Sequence, residues 1–173
     1  RLEIFQQQLK DYDVICLQEC FGAFSSRRGR LIEEARRQGF FWHVLSPMSL
    51  TSGFLVDGGL LILSKVPISQ SAYTIFSRGK FSDALAAKGA IYARMELAGD
   101  VVLHVFTTHL QASYHVYGVA PSAEVRARQL DALVHFISEC TRPSSARGER
   151  SAAEAGGAAE APGAAGAAGA GAG

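Results

Sequence analysis

The most regular pattern in this chain is a pair of neighbouring segments that predict a β-hairpin. From residue 89 to residue 97, apolar side chains alternate with polar or aromatic ones from Ile91 onward. This two-residue period is typical of a strand that buries one face. Gly99 and Asp100 follow as a turn, and residues 101–108 read as a second strand. The hairpin therefore predicts an antiparallel sheet.

The other segments predict further strands and helices, in a mixed α+β class whose sheets are mostly antiparallel. The last predicted helix has Ser122 as its N-cap and an apolar stripe of Leu130, Leu133, Val134 and Ile137. The predicted helices cover residues 1–11, 31–38 and 122 onward, the predicted strands cover 13–17, 40–45, 59–64 and 71–76, and residues 21–29 are a loop.

Composition excludes some classes of protein. The chain has 173 residues, 48% of them hydrophobic and 19% charged, which is ordinary for a soluble globular domain. The formal net charge is only +1, so no overall positive field draws it to DNA, and we expect no nucleic-acid partner. Three cysteines without regular spacing argue against a disulfide framework and predict reduced thiols.

Both ends of the chain suggest that it is a piece of a longer protein. It begins at Arg1, without an initiator Met or a signal-peptide pattern. Nearly every residue from 151 to 173 is Ala or Gly, which offers no large side chain to bury. We therefore expect a partial domain over residues 1–142 and a disordered tail over residues 143–173. A mis-joined end of a gene model would give the same pattern.

Two polar residues at the ends of apolar strands are candidates for chemistry. Glu19 comes after "VICL", where a rigid strand would hold its carboxylate at a cleft. Carboxylate oxygens suit a hard cation such as Mg²⁺, although a plain surface glutamate is the simpler alternative. His109 follows "VLHVFTT" and could face a phosphate oxygen or move a proton. The alternative for His109 is a structural histidine.

Two further pairs are weaker candidates. Asp83 and Lys88 lie in "SDALAAKGA", where a loop could bring their charges together and the lysine could meet a phosphate. Arg126 and Gln129 lie three residues apart on one face of the last predicted helix and could support the site from beneath. For both pairs, the simpler alternative is a solvated polar surface.

Four segments in order, "DVICLQE", "GGLLILSKVPI", "DALAAKG" and "FTTHLQA", resemble the neutral sphingomyelinases of the endonuclease/exonuclease/phosphatase (DNase I-like) superfamily. The resemblance covers about residues 1–140, and "DALAAKG" is its most discriminating segment. It implies part of a four-layer α/β/β/α sandwich. It also implies that Glu19 is a Mg²⁺ ligand and that His109 stabilises the scissile phosphate. Asp83 and Lys88 would form a regulatory pair in which the lysine contacts either the aspartate or the substrate.

The resemblance implies a Mg²⁺-dependent hydrolysis of sphingomyelin to ceramide and phosphocholine at a membrane surface. It also implies an intracellular, membrane-associated enzyme, with a cytoplasmic location as the alternative. The preferred lipid and the oligomeric state stay open. The family's upstream asparagine and its "GDxN" and "SDH" motifs, the last with the general base, are absent from this chain. We therefore expect the chain alone to be inactive. The alternatives are a relative acting on nucleic acid or inositol phosphates, or a non-catalytic pseudoenzyme.

Overall fold

A computed structural model describes residues 7–22, 25–47, 53–113 and 122–142. Within them the chain alternates short strands with two longer helices and two 3₁₀ turns, one at Leu9–Asp11 and one at Phe81–Leu85. The regular elements are β1 (Val14–Leu17), α1 (Arg27–Arg37), β2 (Trp42–Leu45), β3 (Leu61–Ser64), β4 (Ile68–Ile75), β5 (Gly89–Glu96), β6 (Val102–Thr108) and α2 (Ser122–Thr141).

The strands form two antiparallel sheets of three strands each. The first has the order β1-β3-β2, so that β3 is central, with Leu61 opposite both Leu17 and Leu45. The second has the order β4-β5-β6, in which β5 and β6 are the predicted hairpin. The strand predictions are confirmed, with end points shifted by up to three residues.

Alternation along the two central strands explains how the sheets and helices stack. On one side of β3, Leu61 and Leu63 pack in a cluster with Leu31 and Ala35 of α1. The opposite side, with Ile62, joins a second cluster that contains β5 residues 91, 93 and 95. Side chains on the outer face of β5 contact α2 in a third cluster. The result is an α/β/β/α sandwich, and the predicted α+β class is confirmed.

Tyr92 lies on the outer face of β5 but is covered by helix α2 and does not face solvent. Its side chain is fully buried, and its ring stacks on Phe106, which in turn meets Phe136 of α2 edge to face. Further along β5, beyond this contact, Arg94 is half-buried and Glu96 is exposed. The cover supplied by α2 therefore decides which outward residues of β5 are core residues.

The apolar stripe predicted for the last helix is partly wrong. Leu130 and Val134 are 47% and 68% exposed. The helix instead turns a face that includes Val125, Gln129 and Phe136 inward, with Leu133 partly buried beside it. A buried glutamine in the stripe hid the true face, because periodicity counts only apolar residues.

Two other predictions need correction. The loop predicted over residues 21–29 ends too late, since helix α1 begins at Arg27. Gly29, which is expected in that loop, lies in the first turn of the helix, where a Cβ would meet no other atom within 4 Å. The described part of the predicted first helix ends as a 3₁₀ turn at Leu9–Asp11. The predicted tail, residues 143–173, lies outside the described residues. Among the helices that are described, none is long and apolar enough to cross a membrane.

Candidate active site

Two hydrogen bonds hold the end of β6 at one edge of the sandwich, one to the end of β1 and one to the segment before β3. Gln18, directly after β1, donates from Nε2 to Thr107 Oγ1 of β6 at 2.7 Å. His109, directly after β6, lies with its Nδ1 3.1 Å from the carbonyl oxygen of Gly58. Glu19 follows Gln18, which makes the first contact, and His109 makes the second. The two contacts join residues 89 and 51 positions apart in sequence. The structure places both strand-end candidates at the same edge.

Glu19 occupies an unusual backbone conformation at this edge. Its φ is 59°, in the left-handed region that few non-glycine residues adopt, and its side chain is exposed. The next residue, Cys20, donates its backbone N–H to the carbonyl oxygen of Gly59 at 2.7 Å. Gly59 itself has φ 68°, and a Cβ there would meet Phe21 at 2.9 Å and the Glu19 Cα at 3.2 Å. Only glycine fits this close backbone contact, which holds the Glu19 loop in place.

The buried carboxylate of Asp57 holds the loop that contains Glu19 through several hydrogen bonds. Its side chain is fully buried, and Oδ2 accepts from the Arg28 guanidinium and from the Gly22 backbone N–H, both at 3.0 Å. Its Oδ1 accepts from the Gly59 N–H at 2.7 Å and from the Ser46 hydroxyl at 3.3 Å. One carboxylate therefore ties together the segment after Glu19, helix α1 and the entry to β3.

Lys88 lies between Asp83 and His109. Its side chain is 6% exposed, and Nζ lies 2.9 Å from Asp83 Oδ2, 2.7 Å from the Leu110 carbonyl oxygen and 3.3 Å from His109 Nε2. An ammonium group only donates, so Nε2 accepts from it, and the ring proton is on Nδ1, where it is donated to Gly58. Of the two arrangements that the resemblance implied for Lys88, the structure has the pairing with Asp83.

The segment that follows His109 is held by the other predicted residues. Gln129 Oε1 accepts the backbone N–H of Gln111 at 2.8 Å, and Arg126 donates to Ser113 Oγ at 3.0 Å. Asp83 Oδ2 accepts the N–H of Ala112 at 2.7 Å. Arg126 and Gln129 therefore lie behind the residues after His109, as expected of supporting side chains. Their role in activity is untested and stays a prediction.

The donor chemistry of Glu19 fits Mg²⁺, with few ligands from the chain itself. Magnesium takes oxygen ligands, keeps several waters and is often bound by one or two carboxylates together with substrate phosphates. The exposed Glu19 carboxylate matches this pattern. Among the described residues, no group of three or more His, Cys, Asp or Glu side chains could hold a metal ion. Glu19 would therefore need ligands from elsewhere to complete such a site.

The cysteine beside Glu19 is not set up as a nucleophile. Burial raises the pKa of the Cys20 thiol, the Arg28 charge lowers it and the Asp57 charge raises it. Burial also raises the pKa of Cys16. Cys16, Cys20 and Cys140 are reduced and form no disulfide with one another. A raised pKa leaves little thiolate at neutral pH, so chemistry at this edge falls to the other side chains.

Sequence reasoning missed Asp57, Arg28 and Ser46. The signal for Asp57 was the pair of glycines after it in "VDGGLLIL", because an aspartate commonly captures the N–H two residues on. The roles of Arg28 and Ser46 carry no local signal, since Arg28 lies 29 positions and Ser46 lies 11 positions from Asp57.

The layer order, the two antiparallel sheets and the polar edge define a DNase I-like sandwich. The chain belongs to the Endonuclease/Exonuclease/phosphatase family, whose profile matches residues 1–144. The resemblance to sphingomyelinases is also confirmed. A sphingomyelinase of Dictyostelium discoideum is 45% identical over 115 residues, which are 61% of this chain and 25% of that protein.

Two bacterial relatives extend the comparison. Sphingomyelinase C of Bacillus cereus is 32% identical over 147 residues, covering 79% of this chain and 44% of the relative. A crystal structure of a beta toxin variant from Staphylococcus aureus, which has bound magnesium ions, matches the fold with a TM-score of 0.71 and 24% identity. That match covers 82% of this chain and 52% of the toxin chain. The chain spans about half or less of the length of these relatives.

Proposed function

We propose that this chain forms part of a Mg²⁺-dependent phosphodiesterase that hydrolyses sphingomyelin to ceramide and phosphocholine at a membrane surface. The observation that carries the proposal is the meeting of the Glu19 loop with His109 and Lys88 at one edge of both sheets. This edge then carries a carboxylate that suits a hard cation and an ammonium group that suits a phosphate. The relatives named sphingomyelinase favour sphingomyelin among the phosphodiesters.

Each residue has a separate task in this proposal. Glu19 would hold Mg²⁺, which when bound neutralises phosphate oxygens and lowers the pKa of an attacking water. His109 would stabilise the charge that develops on the scissile phosphate by donating from Nε2, which requires Lys88 to turn away from that nitrogen first. Lys88 would add positive charge beside it, with Asp83 setting the position of its ammonium group. The base that accepts the water's proton would come from an "SDH" motif, which this chain does not contain.

The test compares two histidines from the same strand region in the protein expressed from its complete coding sequence. His109→Gln should lower phosphocholine release from sphingomyelin vesicles about 100-fold or more. His104→Gln is the matched control, because His104 is exposed and contacts Tyr92 rather than the site. Removing divalent metal with EDTA should abolish the release, and adding back Mg²⁺ should restore it.

The substrate class is tested in the same preparation. Release from sphingomyelin should exceed cleavage of duplex DNA and of a soluble inositol phosphate. Preferential cleavage of DNA or of the inositol phosphate would show that sphingomyelin is not the preferred substrate. Equal activity of His109→Gln and His104→Gln would show that His109 has no role in the reaction.

A further inference from the structure

Three large apolar side chains are exposed beside the candidate active site. Leu55, Phe81 and Leu85 are 63%, 48% and 50% exposed, and we call them the apolar rim. We infer that the apolar rim is the surface through which this protein contacts a phosphocholine-lipid bilayer. This inference deepens the proposed function, on which it rests, because it names the part of the chain that meets the substrate's membrane.

The members of the apolar rim lie together. Leu55 donates its backbone N–H to the carbonyl oxygen of Leu85 at 2.9 Å. Phe81 and Leu85 are the first and last residues of one 3₁₀ turn, which is only about 8 Å long. Between them, Asp83 directs its carboxylate to Lys88 and to the N–H of Ala112. The same turn therefore presents apolar side chains to solvent and a carboxylate to the site.

Two hydrogen-bonded parallel segments connect the apolar rim to the site. Val56 and Ala86 form a parallel bridge, and Ala87 donates to the Val56 carbonyl oxygen at 3.0 Å. Following these segments, residues 55–58 lead from the rim to the carbonyl that meets His109, and residues 85–88 lead to Lys88. Three residues of extended chain span at most about 11 Å. A headgroup in a bilayer touching the rim would be within reach of the site.

The charge around the apolar rim suits a phosphate-bearing surface. Arg78 and Lys80 are exposed just before Phe81, and the Arg78 guanidinium lies 5.2 Å from the centre of the Phe54 ring. Asp57 is the only acidic residue between positions 53 and 82, and it is fully buried. Apolar side chains with flanking cations are the usual composition of a surface that lies in a lipid interface.

The size of the apolar rim also favours a bilayer over a protein partner. A stable protein interface takes about 20–30 residues from each side, whereas three side chains can partition into a lipid interface without a matched surface. Leu97 and Val101 are 38% and 54% exposed but lie at the other end of the β5–β6 hairpin. Since β5 has eight residues, they are about 25 Å from Lys88 and provide a control surface.

The experiment measures vesicle binding and hydrolysis with the protein expressed from its complete coding sequence. The rim variant Leu55→Ser/Leu85→Ser is compared with the control variant Leu97→Ser/Val101→Ser by sedimentation with phosphatidylcholine–sphingomyelin vesicles. The rim variant should need about tenfold more lipid for half-maximal binding, and the control variant should bind as the wild type does. Turnover of short-chain sphingomyelin kept monomeric in solution should not change in either variant.

Each other outcome has a defined meaning. Wild-type binding by the rim variant, or an equal loss in the control variant, overturns the inference. If the wild-type protein does not bind vesicles but self-associates through Leu55 and Leu85, the apolar rim is an interface with a second copy of the chain. That result also overturns the inference. Vesicle binding that depends on the rim without sphingomyelin hydrolysis refutes the proposed function and leaves the rim standing. Circular dichroism checks folding, and Leu55→Glu alone repeats the test if the double variant unfolds.

Discussion

The buried Asp57–Arg28 pair makes a sharp test of how the Glu19 loop is held. Asp57→Ala removes a carboxylate that is fully buried, while leaving the Arg28 side chain only 16% exposed and without this partner. It also leaves the N–H groups of Gly22 and Gly59 and the hydroxyl of Ser46 without their shared acceptor. Breaking one side of a buried ion pair costs about 3–5 kcal/mol.

That cost is a large part of the stability of an ordinary domain, which totals about 5–15 kcal/mol. Urea denaturation of the protein, followed by far-UV circular dichroism, measures it directly. With a slope of about 2 kcal/mol per molar urea, the midpoint should fall by about 2 M. Under the proposed function, the midpoint for Mg²⁺ activation of hydrolysis should rise as well, because Asp57 anchors the loop after Glu19.

Asp13→Ala is the matched control for this measurement. Asp13 also pairs with a cation, Lys65, at 3.6 Å, but its side chain is 80% exposed. Exposed pairs contribute about 0–1 kcal/mol, so the urea midpoint should hardly move. If Asp57→Ala and Asp13→Ala shift the midpoint equally, the buried carboxylate does not organise the loop and the reasoning fails.

Three further predictions concern the loop, the thiols and the chain as a whole. Gly59→Ala should destabilise the protein by about 2–4 kcal/mol, because its Cβ would strike Phe21 at a positive φ. Gly99→Ala, with φ 74° but no close neighbour, should cost only about 1–2 kcal/mol in the same urea assay. Alkylation of Cys16 and Cys20 should reach half its maximal rate at a higher pH in native than in urea-unfolded protein, since burial raises both pKa values. By the same linkage, their contribution to stability is lost as the pH rises from the unfolded toward the native pKa. The 173-residue chain alone should release no phosphocholine above background, and release by it would contradict the need for further motifs.

Strand patterns were the most predictable part of this protein. The alternation from Ile91 to Met95 and the turn at Gly99 were sufficient to predict the β5–β6 hairpin. Strand ends followed from the same patterns, and so the sequence alone was sufficient to select Glu19 and His109. Local periodicity works here because a strand's two faces are set by its own backbone geometry.

Helix faces were less predictable, because partners rather than composition decide them. Gln129 is 1% exposed, since its amide oxygen accepts the Gln111 N–H, while Val134 on the same helix is 68% exposed. A pattern that counts apolar residues predicts that Gln129 is exposed and that Val134 is buried, and both predictions are wrong. The error has a physical cause: a buried polar side chain is tolerated where it completes a hydrogen bond that the sequence does not show.

By itself, the sequence determined the antiparallel strands, the family resemblance and the candidacy of Glu19, His109, Asp83 and Lys88. Only the tertiary structure decided that Lys88 lies between Asp83 and His109, and that a buried Asp57 joins the Glu19 loop to helix α1. The physical reason is range. Strand and turn preferences act between residues a few positions apart, whereas the Lys88–His109 and Gln18–Thr107 contacts join residues 21 and 89 positions apart and form only when both sheets are packed.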